Sequence, residues 1–176
     1  MKKLKLTFKY SLPPGLRKKK IPPGVNVQTY PFIPVRFYSK TGKTNIIEAL
    51  LDSGSDIIHI NRDISSFLSL PQGQKVDGGG MGGKYVAYNT KVGLILGRGG
   101  REVDFGYVNV VFPEKEMDVP ILIGRIPVFE EFKIIFEEYN KKFILIPKEE
   151  FIEKKKKTKK KAWRKTLLDN SPIFEE

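Results

Sequence analysis

Leu50-Leu51-Asp52-Ser53-Gly54-Ser55-Asp56 is the stretch on which the reading of this chain turns. Residues 45–52 form a strand pattern whose end, Ala49-Leu50-Leu51, is wholly apolar and therefore expected to be buried. A carboxylate placed directly after such a strand is expensive unless it has a use or a partner. Ser53 and Gly54 follow at once, so the backbone turns sharply there. Two readings are open at this point. Asp52 caps the amides of its own turn, as Asp commonly does, or it is a carboxylate kept for chemistry.

Two further features lie downstream. Residues 78–83 read Gly-Gly-Gly-Met-Gly-Gly, five glycines around Met81. Glycine admits positive φ and lets a backbone approach a ligand closely. Flanked by β patterns, this is a hairpin tip, and an apolar Met at a tip wants a partner. The bland alternative is a solvated loop. Then Ile121-Leu122-Ile123 runs into Gly124-Arg125. Arg beside a core strand usually answers an acidic partner; the alternative is an ordinary strand end with a solvated Arg.

The rest of the chain is punctuated by turns. Leu4, Leu6 and Phe8 alternate with polar residues, a strand pattern. Residues 11–24 carry four prolines and two glycines and read as an irregular arm. Residues 27–38 contain Pro31 and Pro34, which predicts an edge or interrupted strand. A hairpin turn is expected at 40–43, a short strand at 57–60, and a short helix at 64–68 capped by Asp63 and stopped by Pro71. Strands at 84–96 and 101–112 flank the Gly97-Arg98-Gly99-Gly100 turn. A short strand at 120–123, one or two helical turns at 127–132 and a closing hairpin (134–136 with 143–146) follow. After Pro147 the pattern turns helical, then polybasic. Many short strands with frequent turns predict an all-β barrel or sandwich with one or two short helices.

The chain has 176 residues, room for one ordinary domain. It has no Cys, which excludes disulfides, thiolate metal sites and a Cys nucleophile. With one His, imidazole chemistry can rest only on His59. His59 sits among Ile57, Ile58 and Ile60 and reads as a structural strand residue. The net charge of +12 suggests nucleic acid or an anionic surface. The charge is concentrated at the ends: residues 1–20 hold eight basic residues and no acidic one, and residues 154–165 hold nine and none. Residues 21–153 carry 15 basic against 17 acidic residues, so the body is nearly neutral. The expected organisation is a basic N-terminal strand and Pro-rich arm (1–24), a β domain (25–147) and a basic tail, helical or disordered (148–176). No apolar run is long enough to span a membrane and the start makes a poor secretory signal, so a cytoplasmic location is expected.

Taken in order, the three features resemble the retropepsin-like aspartic proteases, the single-domain, retroviral-type family. That pattern is apolar-apolar-Asp-Thr/Ser-Gly, then a Gly-rich flap, then apolar-apolar-Gly-Arg. Here it is met by Leu50–Asp56, by Gly79-Gly80-Met81-Gly82-Gly83 and by Leu122-Ile123-Gly124-Arg125. The resemblance implies an all-β acid-protease barrel over 25–147 with a flap hairpin. It implies a homodimeric peptide hydrolase with Asp52 of each subunit as the catalytic carboxylate. Ser53, Gly54 and Ser55 would support the active-site loop. Gly54, Asp56, Gly79, Gly80, Met81, Gly82 and Ile123 would contact a peptide or protein substrate with apolar residues near the cut. Asp56 would pair with Arg125. No cofactor or metal is implied. Ser53 stands where Thr is commoner, and Ile126-Pro127 stands where Asn or Asp is frequent. Family members join their dimers through terminal strands; here the termini carry tails, which leaves both the terminal strands and the 134–146 hairpin open as the dimer seam.

Rival signals are weaker. Thr41-Gly42-Lys43-Thr44 lacks the earlier glycine of a phosphate loop, and Gly78, Gly80 and Gly83 are followed by a strand instead of a dinucleotide-binding helix. The alternative function is a non-proteolytic module on the same barrel, its basic ends, including Trp163 and Arg164, contacting nucleic acid or an acidic partner.

Overall fold

A computed structural model describes residues 4–16, 27–80, 83–117, 119–155 and 157. Its elements are β1 (Leu6–Lys9), β2 (Phe32–Tyr38), β3 (Ile47–Leu51), β4 (Ile58–His59), α1 (Arg62–Phe67), β5 (Lys75–Gly80), β6 (Gly83–Arg98), β7 (Arg101–Pro113), β8 (Leu122–Ile123), β9 (Phe132–Glu137) and β10 (Lys142–Pro147). A further helix, α2, covers 149–155. The architecture is all-β, as the turn spacing predicts. Among the described residues no helix is long and apolar enough to cross a membrane.

The larger sheet runs β2-β3-β8-β4-β7-β6-β5 and closes on itself through β2–β6. Closure makes a barrel, which removes free sheet edges, and leaves β5 as a flank on β6. Two pairings are parallel, β3 with β8 and β4 with β7. They carry two separate chain segments into adjacent positions at one end of the barrel. A smaller sheet, β1-β10-β9, packs beside it.

The expectation that 27–38 is an edge or interrupted strand holds only in part: the strand begins at Phe32, after Pro31, with an isolated bridge at Tyr30 before it. β2 pairs β3 through Phe32–Val35 and β6 through Val35–Tyr38, with no break. Pro34 is tolerated for a geometric reason. The Leu51 amide donates to the Pro31 carbonyl at 3.0 Å, and alternation then turns the Pro34 nitrogen away from β3. Pairing to β6 begins one residue later, so no ladder bond is lost.

The α1 expectation needs adjusting as well. The N-cap is Asn61, without a side-chain capping bond, and Asp63 lies inside the first turn. The helical turns expected at 127–132 are present through residue 131, and only Phe132 departs from them. One irregular turn, Arg125–Phe129, is kinked at Ile126, and Phe132 already begins β9. Phe132 is buried, and a core-facing aromatic fits the strand better than a surface turn.

The barrel core is continuous. Ile33, Val35 and Phe37 of β2, Leu51 of β3, Ile58 of β4, Val92, Leu94 and Leu96 of β6 and Ile123 of β8 belong to one buried cluster. Leu6 from β1 and Phe151 from α2 join it, so both segments flanking 25–147 contribute to the same core. Phe151 has a local cause. The β6–β7 register slips between Leu94 and Ile95. Phe105 falls in that slip, and its ring packs at a tilt against Phe132 and Phe151 at centroid distances of 5.9 and 5.2 Å. Trp163, Arg164 and the polybasic stretch from 158 onward lie outside the described residues.

Candidate active site

Asp52 leaves the barrel at the end of β3. Its backbone amide donates to the Ile123 carbonyl at 3.1 Å, and the Leu50 amide to the Ile121 carbonyl at 2.8 Å. The two apolar strands noticed in the sequence are therefore neighbours. The side chain of Asp52 is half-buried, and its Oδ1 accepts the Gly54 amide at 2.9 Å. The capping reading is realised at that one oxygen. A carboxylate has two, so capping and chemistry are compatible here. Ser53, Gly54 and Asp56 are exposed on the single chain. The Ser55 hydroxyl donates to the Ile57 carbonyl at 2.9 Å and holds the far side of the turn.

Gly124-Arg125 is docked onto this turn. The Arg125 amide donates to the Ser55 carbonyl at 2.8 Å and the Ile126 amide to the Asp56 carbonyl at 2.9 Å. The Arg125 guanidinium pairs with the Asp56 carboxylate, as the resemblance implies. The approach explains the glycine: a Cβ on Gly124 would lie 2.1 Å from the Ile57 carbonyl oxygen. Strand alternation corrects one expected contact. Ile123 points into the barrel with 0 % exposure, so it lines no cleft, and its neighbour Leu122 is the half-buried one.

A cavity of about 870 Å³ opens beside the turn. Gly54, Ser55, Asp56, Ile57 and His59 form one wall. Val76, Gly78 and Gly79 of β5 and Tyr85 and Ala87 of β6 form the opposite one. Both strands belong to the glycine-rich hairpin, which is paired out to Gly80–Gly83. Met81 and Gly82 lie outside the described residues. At the far end Asn89, Thr90 and Lys91 add polar groups. Among the described residues Thr90 Oγ1 is buried and finds no hydrogen-bond partner.

The hairpin is tied at its root. Glu114, just after β7, accepts from Lys75 Nζ at 2.8 Å and from Tyr88 Oη at 2.9 Å. These two bonds hold the Glu114 carboxyl below the usual carboxylate range, and the same contact raises Lys75.

Two residues of the site escaped the sequence reading. His59 is a strand residue, as expected, but Ile58 and Ile60 take the core face and leave His59 on the cavity wall. Tyr85 faces it, Oη to Nδ1 at 3.1 Å. Burial pushes the His59 imidazole down, with the Asp52 charge opposing, and pushes the Tyr85 phenol up. Both rings are thus held neutral. The detectable signal was alternation across 57–60, which Ile57, apolar on the same face as His59, obscured.

No protein-family model and no curated protein sequence matches the chain. Among solved structures it is similar to the EIAV protease complexed with the inhibitor HBY-793, with a TM-score of 0.40 and 20 % identity over 60 % of this chain and 91 % of that one. It is also similar to a retropepsin-like aspartic protease from Rickettsia conorii, with a TM-score of 0.44 and 11 % identity over 82 % of this chain and 94 % of that one.

Proposed function

We propose that this protein is a homodimeric aspartic endopeptidase. The observation that carries the reading is the docking of Gly124-Arg125 on the Asp52 turn, with Asp56 and Arg125 paired and a glycine-rich hairpin across the cavity. The sequence holds a single Asp-Ser-Gly, and Asp52 of one chain is half of a two-carboxylate centre. A two-fold axis beside the exposed Ser53 and Gly54 brings the second Asp52 into place. Ser53 then bonds across the seam.

Two carboxylates in contact cannot both ionise easily, so they share one proton. The ionised Asp52 takes a proton from a water lying between them. The resulting hydroxide forms a bond to the peptide carbonyl carbon, while the protonated Asp52 hydrogen-bonds the carbonyl oxygen. Collapse of the tetrahedral intermediate breaks the C–N bond, and the leaving amine takes a proton from the dyad. Gly54, Asp56 and the hairpin strands hold the extended substrate backbone. Val76 and Ile57, both half-buried, offer apolar wall to its side chains.

The test is Asp52→Asn. Asn keeps a carbonyl oxygen for the Gly54 amide, so the turn survives. Peptide cleavage, and its inhibition by a hydroxyl-bearing transition-state analogue, should disappear with the circular dichroism spectrum unchanged. Undiminished cleavage by that variant overturns the reading.

A further inference from the structure

Tyr85 is an odd residue to find on a glycine-rich hairpin. Its partner across the ladder is Gly78. A Cβ on Gly78 would lie 2.3 Å from Tyr85 Cζ and 2.7 Å from its Oη. The ring therefore lies flat over the glycine, on the cavity side of its own hairpin. From there the phenol reaches His59 Nδ1 on the opposite wall at 3.1 Å, the rings meeting edge to face with centroids 6.2 Å apart. His59 belongs to β4, seven residues after Asp52, and the Asp52 charge is felt at the imidazole. This is the one side-chain hydrogen bond among the described residues that crosses the cavity from the hairpin to the wall carrying the active-site turn.

We propose that Tyr85 and His59 are positioning residues that fix the distance between the β5–β6 strands and the Asp52 turn, and that Gly78 is side-chain-free to let the Tyr85 ring lie across it. The inference rests on the proposed protease reading for its consequence in catalysis, but the contact itself can be read without any cleavage. In this arrangement the phenol is the donor, with His59 Nδ1 accepting and Nε2 carrying the ring hydrogen, a tautomer that the experiment below reads directly. The width of the cleft at its reactive end is then set by two rigid aromatic rings instead of by hairpin backbone alone. A substrate backbone lying between Gly54 and Gly79 meets walls already at the right spacing, which reduces the ordering cost of binding. Because the bond acts on geometry and touches no reacting atom, its loss should weaken substrate binding more than it slows the bond-breaking step.

The chain has one His, so its imidazole resonances need no assignment among others. Nitrogen NMR of the full-length protein should show the Nε2–H tautomer, and Tyr85→Phe should mix the tautomers. In the same variant, exchange protection of the β5–β6 amides between Asp77 and Val86 should fall about threefold to tenfold, the worth of one hydrogen bond. Gly78→Ala, which displaces the ring but keeps the phenol, should reproduce both changes. His59→Gln, which keeps an acceptor, should retain most of the protection, and His59→Leu should not. Peptide KM should rise with Tyr85→Phe while kcat stays within about twofold. The double variant Tyr85→Phe, His59→Leu should be no worse than either single one. An unchanged tautomer and unchanged exchange in Tyr85→Phe, or additive effects in the double variant, overturn the proposal. If the wild-type protein cleaves no peptide, the NMR and exchange results still decide the Tyr85–His59 link by themselves.

Discussion

Arg125 and Asp56 lie 69 residues apart in the chain and meet as an ion pair at the edge of the cleft. Both side chains are largely exposed on the single chain, at 58 % and 70 %. Exposed pairs contribute little to folding, about 0–1 kcal/mol. The pair is flanked by two backbone bonds that would survive its loss, from Arg125 to Ser55 and from Ile126 to Asp56. Arg125→Gln should therefore shift the urea midpoint only slightly. Cleavage should fall more than tenfold, because Asp56 then faces the substrate without the group that orients it. Equal losses of stability and activity would make the pair merely structural.

Gly124 behaves differently from its neighbour. The hypothetical Cβ contacts are all backbone atoms of Ile57, at 2.1 Å to the oxygen and 2.6 Å to the carbon. No side chain can rotate away, so β8 and the Asp52 turn must separate. Gly124→Ala should destabilise the fold by more than about 2 kcal/mol, read as a lower urea midpoint. Gly79→Ala has open space around it and should leave the midpoint within about 0.5 kcal/mol.

Much of this arrangement was legible in sequence because its causes are local. Leu51 and Ile123 are apolar strand ends followed by turn residues, and the Asp56–Arg125 pair followed from the resemblance. The remainder needed tertiary information. Pro34 marks an edge strand unless the neighbour's register is known, and that register is set by β3 and β6 together. Ile123 and Leu122 differ only in which face of a two-residue strand they take. The Tyr85–His59 contact joins strands 26 residues apart, and nothing in either local pattern refers to the other.

His59 gives a pH prediction with a definite sign. Burial holds its folded pKa below the ordinary 6.5, so the unfolded chain binds the proton more readily. Its stabilising contribution is complete above pH 6.5 and is lost as pH falls through the folded value. The groups acting on the imidazole are Asp52, which opposes the shift, and the Tyr85 phenol. Urea unfolding should show stability decreasing from pH 7.5 toward about pH 5. His59→Gln should flatten that part of the profile, and a variant profile parallel to wild type would remove His59 as its cause.

Phe151 ties α2 to the barrel through Phe105 and Phe132, and it is 6 % exposed. Removing a buried Phe typically costs about 3–5 kcal/mol. Phe151→Ala should lower the thermal midpoint by several degrees, and truncation after residue 147 should do at least as much. Removing residues 158–176 leaves Phe105, Phe132 and Phe151 in place and should lower the midpoint less than truncation after residue 147. If the shorter truncation were as damaging as the longer one, the stabilising contact would have to lie beyond Phe151.

The two-chain reading of the active site makes the last prediction. On that reading one chain carries half of the centre, so the rate per chain follows the fraction of chains associated, which rises with chain concentration. On dilution the cleavage rate per chain should fall steeply once monomers dominate. Mixing tests the sharing of the centre directly. Asp52→Asn chains keep the turn and the seam, and so should exchange freely with wild-type chains. At equal amounts, random pairing leaves about one quarter of the dimers with two intact Asp52 residues. Per wild-type chain, the rate should drop to about half, and further as the variant is added in excess. A rate per wild-type chain that ignores the added variant would mean that each chain works alone, and the carboxylate dyad would have to be abandoned.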